Sequence, residues 1–300
     1  MPQRRSVMRA GMFAALMLVL LPAVAHAALG TCGLVPTDID FGTFSGTQIT
    51  ASGSLQIMCS NGSGNNTLQV ALSYGSTSPT FPSSTANRQM QSGNSRLAYQ
   101  VYTSSSHTTI WGDGSSGTAK LSVPINYVGG QPVTKTVVPF AVLFAGMLPP
   151  PGAYNDALTV TIPNTTTAIH MRAAVAASCS VTANTLSFGV YNKARLDGTT
   201  TLLATCTSTT PFNIGLDQGV APGATVTTRK MTGPGSQRLS YSLFRDSART
   251  LNWGNTVGSD TVSSTGTGVG QSFTVYGRMP ASQVAGAGTY QDTITVTLTF

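Results

Sequence analysis

The chain contains no glutamate. All nine acidic side chains are aspartates, and charged residues make up 8% of the 300. A pair of carboxylates for glycoside hydrolysis would therefore have to be drawn from scattered aspartates. Asp156 and Asp292 recur in "YNDA" and "YQDT", which reads as a repeated turn or capping group rather than an acid–base pair. Histidine is as scarce. His107 lies in the polar run "SSSHTT" and His170 in "AIHM", neither in a catalytic motif. GxSxG, HExxH and phosphate-binding glycine loops are missing from any fitting context. The cysteines have no CxxC spacing, so a structural metal site is not expected either. These absences argue against an enzyme and lead us to expect no catalytic residue, cofactor or metal.

Long apolar faces of period 3.6 are also missing. Short alternating runs separated by Gly, Ser, Asn and Pro clusters fill the chain, with 32 glycines in all. That pattern predicts an all-β protein built of sandwiches. The one continuous apolar run is at the N-terminus. Arg4, Arg5 and Arg9 precede "MFAALMLVLLPAVA", and Ala25-His26-Ala27 has the small-x-small form of a cleavage site. Residues 1–27 read as a signal peptide. Without its three arginines, 13 basic side chains face nine acidic ones, a net +4. No basic run is interleaved with aromatics, so no nucleic-acid partner is expected.

What is present is a repeat. Cys32 and Cys59 are 27 residues apart, and so are Cys179 and Cys206. Phe41-Gly42 and Phe188-Gly189 follow the first cysteine of each pair at the same distance. "NRQMQSGNSRLAYQVY" answers "TRKMTGPGSQRLSYSLF", Trp111-Gly112 answers Trp253-Gly254, and "GAYNDALTVTI" answers "GTYQDTITVTLTF". Each half is thus one domain. The repeat pairs Cys32 with Cys59 and Cys179 with Cys206, each domain stapling itself, and an exported chain meets an oxidising compartment where such bonds persist.

These landmarks resemble the spore coat protein U domain family, which includes subunits of archaic, Csu-type chaperone–usher pili. The second half carries the pattern best, in Cys179 with Phe188-Gly189, Cys206, "RKM…RLSYSLFRD…WG" and the closing strand. The first half is looser: "VYTSSSHTTIWG" stands in place of "LFRDSARTLNWG". The resemblance implies two immunoglobulin-like β-sandwiches in tandem, the C-terminal one lacking its final strand. Its last strand, with Ile294, Val296, Leu298 and Phe300 on one face, would border an apolar groove. A periplasmic chaperone would fill that groove first, and a strand from the next subunit afterwards, at an outer-membrane usher. The expected boundaries are a binding domain over 28–163, a linker over 164–171 and a pilin-type domain over 172–300.

From an expected mature start at Ala28, four residues precede Cys32. That is short for a donor strand, so the resemblance implies a subunit at the tip of the fibre, an adhesin serving surface attachment and biofilm formation. The alternative is a structural coat or extracellular matrix protein built from the same domains. Two readings of Thr165–Ala177 stay open: a strand completing the first domain internally, or a polar hinge leading to the second. The first domain also has longer loops. Gly75 to Met90 spans 15 residues against 12 for Gly219 to Met231, and Trp111 to Tyr154 spans 43 against 37 for Trp253 to Tyr290. They bring Phe81 in "SPTFPS" and Met147, Leu148, Pro149 and Pro150 in "GMLPPP". Apolar groups on proline-stiffened turns suggest contact with an abiotic or host surface. Asn126–Gly130, "NYVGG", is a weaker third candidate.

Overall fold

The computed structural model describes residues 27–76 and 87–300. The expected signal peptide, apart from Ala27, lies outside the described residues, as does Phe81. Twelve strands build the first domain: β1 (Thr31–Pro36), β2 (Ile39–Thr43), β3 (Ile49–Ser52), β4 (Leu55–Ser60), β5 (Asn65–Leu72), β6 (Arg88–Ser92), β7 (Ser95–Tyr102), β8 (Leu121–Asn126), β9 (Val133–Val137), β10 (Phe140–Leu143), β11 (Gly152–Ile162) and β12 (Thr165–Val175). The second has eight: β13 (Cys179–Ala183), β14 (Leu196–Cys206), β15 (Pro211–Leu216), β16 (Arg229–Thr232), β17 (Arg238–Phe244), β18 (Val262–Thr265), β19 (Gly270–Met279) and β20 (Val296–Thr299). The chain is all-β, as its alternating pattern predicts, with one short 3₁₀ turn at Pro234–Ser236.

Alternation in sequence becomes alternation in burial. Along β11, Tyr154, Leu158, Val160 and Ile162 point into the core while Thr159 and Thr161 face out. The first domain pairs a β1-β4-β9 sheet with a larger one ordered β2-β12-β11-β6-β7-β10-β3, to which β5 and β8 attach. The second pairs a β13-β14-β19-β17-β16 sheet with β18-β15-β20. Each domain has its own apolar cluster. Disulfides close Cys32 to Cys59 and Cys179 to Cys206, in each case between residues directly opposite in an antiparallel ladder.

The repeat reaches into the polar core. Trp111 Nε1–H donates to the Val70 carbonyl and Trp253 Nε1–H to that of Ile214, both at 2.9 Å. A buried arginine in each domain gathers main-chain carbonyls. Arg88 donates to Ser73 and Trp111; Arg229 donates to Asp217, Val226, Leu216 and Trp253. Buried charge is tolerated only where its donors are satisfied, and these two recruit the carbonyls of loop residues such as Ser73, Asp217 and Val226. Asp156 and Asp292 are structural in the same way. Each accepts a tyrosine hydroxyl at 2.7 Å, from Tyr99 and Tyr241, and a loop N–H, from Ser76 and Val220. Burial and the facing carboxylate push both phenols up, so they remain donors. Gly75 and Gly219 have φ of +107° and +82°, and a Cβ at either would lie about 2 Å from the carboxylate. Only glycine fits both demands.

Candidate functional site

The site emerges from comparing the two copies strand by strand. In the first domain β11 is paired along all eleven residues with β12, from Gly152↔Val175 to Ile162↔Thr165. On its other side β12 runs parallel to β2, with Met171 opposite Ile39 and Arg172 opposite Asp40. Ile169, Met171, Ala173 and Val175 alternate into the core and are all buried. The polar hinge is therefore not what Thr165–Val175 forms. This stretch is a full strand of the first sheet and runs past the expected boundary at 171/172. Asp38 fixes its register: its carboxylate accepts the His170 N–H at 3.0 Å and pairs with Arg172 at 2.8 Å. The His170 N–H is the main reason that the Asp38 carboxyl lies below its usual range.

The second domain has the bordering elements and, among the described residues, no strand between them. Ile294, Val296 and Leu298 match Leu158, Val160 and Ile162 in the repeat. The first-domain residues are at most 3% exposed; the second-domain ones are only half-buried, and Phe300 is 59% exposed. The opposite border shows the same change. Ile39 and Phe41, in β2, are buried, whereas their counterparts Leu186 and Phe188 are half-buried and belong to no strand. Even ladder length follows. β11 has eleven residues in strand; β20 has four, held by β15 on one side only. Before it, Thr295 is tied merely to Asp217, through main chain and carboxylate. A strand without a neighbour loses the hydrogen bonds that would keep it regular.

The expected groove residues Ile294, Val296 and Leu298 thus share one half-buried border, with Phe300 beyond it. The opposite border, Leu186 and Phe188, escaped sequence reasoning. The signal was present, because Phe188 lies in the "FG" landmark of the repeat, but its role depends on what packs beside it. The loop candidates are divided. Met147 is exposed. Leu148 instead joins the domains: its N–H donates to Gly268 at 3.2 Å and its carbonyl accepts the Ser208 N–H at 3.1 Å. Pro149 and Pro150 are half-buried, and the Pro150 carbonyl accepts the Tyr154 hydroxyl. Leu148, Pro149 and Pro150 therefore stand at the joint between the domains and not at a free loop tip, because the turn into β11 begins beside the end of β12.

The architecture is thus two tandem all-β domains, the first closed by the strand leading into the second and the second with no strand at the matching place among the described residues. The chain belongs to the Spore Coat Protein U domain family, whose model matches residues 18–161 and again 165–297. It is 34% identical to Protein U of Myxococcus xanthus over 149 residues, covering 44% of this chain and 83% of that protein. Among solved structures it resembles the CsuC–CsuE chaperone–tip adhesion subunit complex of Acinetobacter baumannii, at 15% identity, 90% of this chain, 100% of that chain and a TM-score of 0.48. It also resembles the CupB6 tip adhesin of Pseudomonas aeruginosa, at 9% identity, 91% of this chain, 95% of that chain and a TM-score of 0.35.

Proposed function

We propose that this protein is an exported subunit of a surface fibre built by strand donation, placed at the tip with its first domain outermost. One observation carries the reading. The second family match begins at residue 165, so β12 falls within the match to the second domain, yet it packs as the closing strand of the first. This supports reading β12 as a strand donated within the chain between consecutive family domains, with the same place in the second domain left for an incoming strand. An apolar groove beside an unpaired edge favours addition of an extended segment, with main-chain bonds for affinity and alternate side chains for fit. A periplasmic chaperone occupies the vacancy in transit, the usher exchanges it, and the next subunit's leading strand replaces it. The first domain, complete in itself, is left to meet an abiotic or host surface. Phe81 remains a contact residue there. Val128, within Asn126–Gly130, is a second one: it is 80% exposed and lies just past β8, whose last residue, Asn126, pairs with Asn65.

Amide exchange on the full chain, alone and with its cognate chaperone, tests the reading. The amides of Ile294–Thr299 should exchange fast alone and become protected in the complex, while β11 and β12 stay protected throughout. Equal protection of β20 and β11 in the isolated chain would refute it. A chain that needs no chaperone to remain soluble would instead favour the coat or matrix protein.

A further inference from the structure

The joint between the two domains has a counterpart that is built but uncovered. Counting back from Gly152 and Gly288, which open the matched "GAY" and "GTY", Leu148 corresponds to Val284. Leu148 bridges to Ser208 and Gly268 of the following domain through its own N–H and carbonyl. Val284 is 90% exposed, and among the described residues neither its N–H nor its carbonyl has a hydrogen-bond partner. The segment carrying it is braced. The Gln283 N–H donates to the Tyr191 hydroxyl at 2.8 Å, the Gln283 side-chain amide exchanges hydrogen bonds with the Ser240 main chain, and the Gly286 N–H reaches Gln237. Beside it Val190, also 90% exposed, corresponds to Thr43, which lies opposite Ala174 where β12 leaves the first domain. Both valines thus stand where a strand filling the vacancy would leave the second domain.

A held loop with an apolar tip and two free main-chain groups loses little freedom on docking. We infer that Val284 is the docking point for the first domain of the incoming subunit, which it meets through its main chain as Leu148 meets Ser208 and Gly268. The partner is a domain of the same fold, presenting a free N–H and a free carbonyl at the positions of Ser208 and Gly268. This inference rests on the strand-acceptor reading, and the test separates the two.

In a first arm, a synthetic peptide of Thr165–Val175 is added to the full chain and amide exchange is followed at Ile294–Thr299. In a second, Thr299 and Phe300 are replaced by a copy of residues 163–300, so that the original second domain is followed as the first domain is. Val284→Cys is labelled with a maleimide in the natural and the extended chain, with Val128→Cys, on the first domain, as a control. The expected result is protection by the peptide, and labelling at position 284 about ten-fold slower in the extended chain with labelling at position 128 unchanged. Peptide protection with full-rate labelling at position 284 would overturn the docking point and leave the strand reading intact. Absence of peptide protection would overturn both.

Discussion

If β12 is the closing strand of the first domain, Met171→Ala should unfold that domain preferentially. Met171 is fully buried, opposite Asp156 on β11 and Ile39 on β2. Truncation removes three side-chain heavy atoms. At about 0.8 kcal/mol per buried group the transfer loss is about 2.4 kcal/mol. An unrelaxed void of roughly 50 Å³ adds about 1.2 kcal/mol at about 24 cal/mol per Å³, for a total of about 3.6 kcal/mol. Each domain carries one tryptophan, Trp111 or Trp253, both buried. In a Trp253→Phe background the emission of Trp111 therefore follows the first domain alone. With a urea slope of about 2 kcal/mol per molar, Met171→Ala should lower that midpoint by about 1.8 M. The reciprocal Trp111→Phe background should show the second domain unmoved. A shift under about 0.3 M for the first domain would mean that Thr165–Val175 does not close it.

Three further outcomes follow from the structure. Arg229→Lys keeps the charge but cannot reach the four carbonyls the guanidinium gathers, and should destabilise the second domain by about 2–4 kcal/mol in urea unfolding; Arg88→Lys should do the same to the first. Replacing Cys32 and Cys59 by serine opens a 27-residue separation and should cost the first domain about 3–4 kcal/mol, read as a lower urea midpoint. Asp38 has a folded pKa below its unfolded one, so its contribution is present above about pH 4 and fades as pH falls through the folded value. Asp38→Asn should flatten that part of the first domain's stability–pH curve.

Much of this fold is legible in the sequence because it is local. Period-two alternation marks β11 and β20, and the matched cysteine spacings give both disulfides. The buried guanidiniums of Arg88 and Arg229 were signalled by their shared place in "NRQM" and "TRKM", but an arginine in a strand is ordinarily a surface residue. Burial there depends on loops whose carbonyls need donors, which no local pattern announces. The same limit applies to Leu148, since an apolar residue before three prolines looks the same at a free tip and at a domain joint. The sequence of β20 is as apolar as that of β11. Only the absence of a partner strand shortens it, and a missing neighbour leaves no mark on the residues that lack it.

On the strand-acceptor reading, the two copies differ at one place that bears on which strand each would take. In the first domain Asp38 holds β12 through the His170 N–H and the Arg172 side chain. The residue at the same distance from Cys179 is Thr185, and the residue matching Asp40 is Ser187. The first domain thus sets an acid against Arg172 of β12, whereas the second has no acid at either matching position. This favours β12 closing its own domain over invading the vacancy of a second copy, and leaves the incoming strand free of any requirement for His or Arg. Thr185→Asp should import the preference. A peptide of Thr165–Val175 should bind the variant about five-fold more tightly than the natural chain at low salt, the gain expected of one partly exposed ion pair of about 1 kcal/mol. Most of the gain should vanish in about 1 M salt. A peptide carrying His170→Gln and Arg172→Gln should show no gain at all. Equal tightening of both peptides by Thr185→Asp would mean that the acid acts on the backbone of any strand, and charge would then play no part in keeping the two strands apart.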